Sequence, residues 1–149
     1  MKEKGVIVAL DVGMGRVGVA ASDSLHITAN PVTLIQRDGN EFEAIKNLVK
    51  FYSAKTVVIG LPKTLKGVVG SQAEKVLTFV NMLKGYLNGV EIILWDERFT
   101  SVIAHKMFKS LGVRSKKERA TKDVAEALLI LQSYLNYGGR KKKLENSGE

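Results

Sequence analysis

Residues 5–22 read GVIVALDVGMGRVGVAAS, and the reading of this stretch decides the fold. From Gly5 to Leu10 the chain is almost wholly apolar, Asp11 closes the run, and Gly13 and Gly15 mark a turn before RVGVAAS (Arg16–Ser22) becomes β-like again. Two such runs about a glycine turn predict a hairpin. A third β segment, Thr33–Gln36, is expected after a break at Asn30-Pro31, so the sheet starts antiparallel. The period then changes. Phe42, Ile45, Leu48, Val49 and Tyr52 recur at helical spacing, and TVVIGL (Thr56–Leu61) is the continuous apolar run of a parallel strand covered on both faces.

The next helix opens with the capping-box pattern Ser71-Gln-Ala-Glu74 and carries the face Val76, Phe79, Val80, Leu83 and Leu87. A strand over Val90–Trp95 follows, then a helix from Thr100 to Leu111 and a basic loop from Gly112 to Ala120. Thr121 is the expected cap of a last helix with the stripe Val124, Ala127, Leu128, Leu131 and Leu135. The order βββαβαβαα predicts an α/β domain with helices on the sheet faces.

At 149 residues the chain is about one domain's worth, with no internal repeat and no linker that would divide it. Order is expected over residues 4–138, with the basic tail 139–149 flexible. The composition, 45% hydrophobic and 26% charged, is that of a globular protein. No apolar run approaches the ~18 residues of a membrane span, and the Met1-Lys2-Glu3-Lys4 start carries no cleavage site. A cytoplasmic protein without membrane contact is therefore expected. With no Cys there are no disulfides, thiolate zinc sites or cysteine nucleophiles, and 2 His leave little imidazole chemistry, so any metal would be held by carboxylates.

The net charge of +8 is unevenly spread. Residues 106–122 alone hold Lys106, Lys109, Arg114, Lys116, Lys117, Arg119 and Lys122 against Glu118. Such a concentration on an otherwise balanced chain is the footprint of a polyanion, most often nucleic acid, although a solvated basic face has the same composition.

Acidic residues close the buried runs. Asp11 ends GVIVAL, and VEIILW runs directly into Asp96-Glu97-Arg98. Ligands of open α/β sheets sit beyond the carboxyl ends of strands, where Asp11 and one of Asp96 or Glu97 could meet. Asp123 stands in the first turn of the last helix, with Glu126 one turn on. Each has a plain alternative, a turn carboxylate or an offset to the helix dipole. Together they suggest a site for Mg²⁺ or Mn²⁺. Arg16, Arg98, Lys63 and Lys66 are candidates to grip flanking phosphates, with the basic loop's Arg114, Lys116, Lys117 and Arg119. Trp95, inside an apolar strand, reads as core, and Ser22-Asp23 lacks the His a nucleophile pair would need.

The segments LDVGMGRVGVAASD, GLPKTLKG, DERFTS and RSKKERATKDVAEALLILQSYL resemble, in order and spacing, the YqgF family of Holliday-junction-resolvase-like, pre-16S rRNA nucleases, over residues 5–137. The resemblance implies an RNase H-like α/β fold, a mixed five-stranded sheet of three antiparallel strands then two parallel, flanked by helices. It places the family's acidic residues on Asp11, Glu97 and Asp123, as catalytic and metal-holding groups, and its basic positions on Arg16 and Arg98. Met14-Gly15 stands where a Thr-Lys or Thr-Arg pair is common, Lys66 where an acidic residue often precedes Gly67, and Glu126 where Ala is usual.

The resemblance implies a metal-dependent endonuclease acting on structured RNA, maturing the 5′ end of pre-16S rRNA, as a monomer or homodimer. Two readings stand beside it: a resolvase of four-way DNA, for which a dimer would be expected, and a nucleic-acid-binding protein without catalysis. An actin-like ATPase, which the Asp-x-Gly turn alone also resembles, would need a second domain to close over its nucleotide.

Overall fold

The computed structural model describes residues 5–62, 69–97 and 124–138. The two runs of the opening stretch form β1 (Ile7–Val12) and β2 (Arg16–Ser22), paired antiparallel with Asp11 opposite Gly18. Between them the Gly13 N–H donates to the Arg16 carbonyl at 2.9 Å, and a Cβ on Gly13 would stand 2.9 Å from that same oxygen. Glycine alone closes so tight a turn without displacing its neighbour.

The third strand is longer than expected. β3 (Ala29–Gln36) begins before the Asn30-Pro31 break, because it is the edge strand and its pairing with β2 shifts register between Val19 and Ala20. The shift sets Pro31, which has no N–H to give, opposite Ala20 and passes over Val32.

The helical period of Phe42 to Tyr52 becomes α1 (Glu41–Phe51), which buries Phe42, Ile45 and Val49. β4 (Thr56–Leu61) then enters beside β1 in parallel, α2 (Ser71–Leu83) crosses over, and β5 (Glu91–Asp96) lies parallel to β4. The sheet order is β3-β2-β1-β4-β5. The capping box of α2 does not form: the chain enters helical geometry one residue early, Gly70 takes the cap position, and it makes no side-chain capping bond. α3 (Ala125–Ser133) follows a cap position at Val124 and runs into a π-helical turn, Tyr134–Gly138. Thr121, the expected cap, lies outside the described residues, as do the expected helix over 100–111 and the basic loop.

Alternation along the strands divides the core into two layers. Val8, Leu10, Val57 and Ile59 face α1 and α2, whose Ile45, Phe79 and Leu83 meet them. Ile7, Ala9, Val58 and Trp95 face α3. The buried surface of α3 is wider than the expected stripe, since Leu129 and Ile130 are covered along with Ala127, Leu128 and Leu131. Among the described residues no helix is long and apolar enough to cross a membrane.

Candidate active site

Asp11 follows Ile7 and Ala9 at period two, so its side chain belongs to the α3 face of the sheet. Its partner Gly18 agrees: a Cβ there would lie 3.7 Å from both the Asp11 Cβ and the Ala127 Cβ of α3. On β5 the same face is held by Ile93 and Trp95, and the period carries it to Glu97, just past the strand. Asp11 and Glu97 line one cavity of about 660 Å³ at the carboxyl ends of the parallel strands. Asp96 pairs with Leu61 and is not among the residues lining it, so of the two acids that the apolar run alone left open it is Glu97, the one on which the family resemblance falls, that shares the cavity with Asp11.

Gly60 separates them. It lines the same cavity from β4, where a Cβ would stand 2.5 Å from Ile130 Cδ1 and 3.1 Å from Glu97 Cγ and Cδ. The bare Cα leaves the space that Glu97 uses. Both carboxylates are only half-exposed. Two partly desolvated acids on one cavity form a hard, all-oxygen donor set, which fits Mg²⁺ or Mn²⁺ and suits no soft metal. Asp123 lies outside the described residues, but the first turn of the helix it precedes packs at Gly18, the residue paired with Asp11. Glu126 sits half-buried in that turn.

Of the basic candidates, Arg16 is exposed at the start of β2 and is not among the cavity-lining residues. Lys63, Lys66, Arg98, Arg114, Lys116, Lys117 and Arg119 lie outside the described residues.

Sequence reasoning missed Arg37 and Glu41, which line the same cavity. Arg37 Nε donates to Glu41 Oε2 at 3.2 Å, Arg37 Nη1 donates to the Gly13 carbonyl at 2.9 Å, and the guanidinium carbon stands 5.1 Å from the centre of the Phe79 ring. Glu41 is buried, and its Oε1 accepts the Gly39 N–H at 2.9 Å. The Glu41 carboxyl is held below its ordinary range chiefly by a hydrogen bond from its own backbone N–H, with Arg37 and Gly39 adding to it, against burial, which acts the other way. The Arg-x-x-x-Glu spacing was the available signal.

The residues that the sequence set apart from the site have structural roles. Trp95 is buried, donates to Ser133 Oγ at 3.0 Å and stacks edge-on against Tyr134. Ser22 Oγ accepts the Ile7 N–H at 2.9 Å and donates to the Asp23 carbonyl. Asp23 Oδ1 accepts the N–H groups of Ile27 and Thr28; the Thr28 bond leads the group that holds this exposed carboxyl below its usual range.

A sheet of order 3-2-1-4-5, three strands antiparallel and two parallel, with two acids at the parallel ends, is the arrangement of the RNase H-like fold. The chain belongs to the RuvX family, described as Holliday junction resolvase, whose model matches residues 5–137. It is 44% identical over 131 residues to a protein of Sulfurihydrogenibium sp. (strain YO3AOP1), covering 87% of this chain and 89% of that one. With a protein of Acetivibrio thermocellus it shares 36% identity over 137 residues, covering 90% and 97%. Both relatives carry the name "Putative pre-16S rRNA nuclease". Among solved structures, T. thermophilus RuvC in complex with Holliday junction substrate matches at a TM-score of 0.59 and 11% identity, over 92% of this chain and 96% of that one. Fowlpox virus resolvase with its junction DNA matches at 0.51 and 15%, over 88% and 97%. These two likenesses are of fold alone.

Proposed function

We propose that this chain is a single-domain, metal-dependent endonuclease that hydrolyses phosphodiester bonds of structured RNA in the cytoplasm, with the 5′ end of pre-16S rRNA as its substrate. The observation that carries the reading is the sharing of one cavity by Asp11 and Glu97, on one face of the sheet and at neighbouring strand ends. The names of the curated relatives supply the substrate.

Asp11, Glu97 and Asp123 would hold Mg²⁺ or Mn²⁺. A divalent ion held there would lower the pKa of a bound water and offset charge on the phosphate. The chain's own part is to fix the carboxylates before substrate arrives: Asp11 through the β1–β2 ladder, Glu97 through its packing beside Gly60. Arg16, Lys63, Lys66 and Arg98, with Arg114, Lys116, Lys117 and Arg119 of the basic loop, are proposed to grip the flanking phosphates, since the three acids of the site would otherwise repel the backbone.

The family description favours a second reading, resolution of four-way DNA junctions. Two symmetric cuts need two sites, so that reading requires a dimer. Cleavage of pre-16S 5′-leader RNA and of a four-way DNA junction, each with and without Mn²⁺, separates the two. Cutting of the leader RNA alone supports the proposal, and cutting of the junction alone by a dimer replaces it.

A further inference from the structure

The cavity does not stop at the two carboxylates. Its lining also takes in Arg37 and, from α2, Lys75. The Arg37 guanidinium is fixed on three sides, by Glu41 at Nε, by the Gly13 carbonyl at Nη1 and by the Phe79 ring beneath it. Nη2 donates no hydrogen bond among the described residues, and the side chain is 28% exposed. Glu41 has both oxygens committed, to Arg37 and to the Gly39 N–H, so it serves to hold the arginine in place.

Lys75 is exposed and lies one helical turn before Phe79. Its Nζ meets only the Met14 thioether, at 3.7 Å, a weak acceptor, and no carboxylate pairs with it among the described residues. Arg37 therefore bears on Gly13 and Lys75 on Met14. The two cations bracket the turn that begins two residues after Asp11, a backbone reach of at most about 7 Å. With Glu41 neutralised by Arg37, Lys75 adds a positive charge beside this turn.

We propose that Arg37 Nη2 and Lys75 Nζ form a phosphate subsite, which receives the strand phosphate adjacent to the one at Asp11 and Glu97. Phosphate is the ligand this pair recognises: an arginine edge fixed in advance loses little side-chain freedom on binding, and its N–H groups match phosphate oxygens while the lysine adds a mobile charge. The inference rests on the endonuclease reading for the meaning of "adjacent", but it predicts a binding effect that needs no cleavage.

The test is the affinity of labelled pre-16S 5′-leader RNA, measured across a salt series in EDTA. Lys75→Glu is compared with Lys84→Glu, which makes the same charge change at the C-cap of α2, about 13 Å away along the helix axis. The subsite predicts that Lys75→Glu weakens binding about tenfold and lowers the slope of log affinity against log salt by about 0.7 to 0.9, while Lys84→Glu keeps the wild-type slope. Arg37→Lys, which keeps the charge and loses the fixed edge, should also weaken binding. Wild-type affinity and slope in both Lys75→Glu and Arg37→Lys overturn the subsite. So does a fall in kcat for Arg37→Lys with binding unchanged, which would make the arginine a support for the turn only. Failure of the two readings is distinguishable. If the wild type never cuts with Mn²⁺ but Lys75→Glu shows the predicted slope change, the subsite stands and the nuclease falls; if the wild type cuts and Lys75→Glu binds normally, the reverse holds.

Discussion

Glu97 packs over Gly60: a Cβ on that glycine would stand 3.1 Å from both the Glu97 Cγ and Cδ, with Ile130 Cδ1 closer still at 2.5 Å. The α3 layer and a proposed catalytic carboxylate thus compete for the volume above one backbone position. Gly60→Ala should overpack it, at a cost of about 1 to 3 kcal/mol in stability, and should lower cleavage further than that loss explains because Glu97 is displaced. Gly18→Ala is the internal comparison, since its Cβ would meet only ordinary contacts at 3.7 Å and beyond. Thermal melts and cleavage rates of the two variants check both statements; equal behaviour would contradict them.

Ser22 is a structural hydroxyl. Removing it in Ser22→Ala takes away the acceptor of the buried Ile7 N–H, which should cost about 1 to 3 kcal/mol. Specific cleavage by the folded fraction should be unchanged. A fall in turnover at unchanged stability would make Ser22 a reacting group after all.

The depressed Glu41 carboxyl gives a signed pH dependence. Its folded-state value lies below the ordinary 4.5, so its contribution to stability is present above pH 4.5 and is lost as pH falls through the folded value. Wild type should melt above Glu41→Gln at neutral pH, and the two should converge on acidification below pH 4.5. A gap that stays constant down to strong acid would show that the charge on Glu41 contributes nothing.

The basic loop should act through charge. Reversing Arg114, Lys116, Lys117 and Arg119 one at a time should weaken binding of the leader RNA and flatten the salt slope by about 0.7 to 0.9 for each phosphate that is no longer neutralised. Unchanged slopes would move the RNA-binding surface off this loop.

The hairpin, the βαβ unit and the parallel strand ends were legible in the sequence because continuous apolar runs and a change of period are local signals. What was not legible depended on partners distant in the chain. Apolar periodicity alone did not choose between Asp96 and Glu97; the family resemblance fell on Glu97, and the face taken by Trp95, which packs on Ser133 and Tyr134, sets Glu97 on the Asp11 side of the sheet. Arg37 and Glu41 straddle a strand end and a helix start, and the group that gives Arg37 its place, the Gly13 carbonyl, is 24 residues away. The letters of a capping box at Ser71 to Glu74 are correct, yet the helix starts one residue early and leaves them unused. At Pro31 the sequence signalled a break that an edge position and a bulge absorb.

The proposed chemistry stands or falls with Asp11, opposite Gly18 at the end of β1, as a catalytic carboxylate. The measurement to make is Mn²⁺-dependent cleavage of pre-16S 5′-leader RNA by wild type and Asp11→Asn, alongside the affinity of each for the same RNA in EDTA. Abolished cleavage in the variant with affinity kept near wild type is the expected result. Cleavage by Asp11→Asn at the wild-type rate, or an equal fall in cleavage and binding, would contradict the role assigned to Asp11.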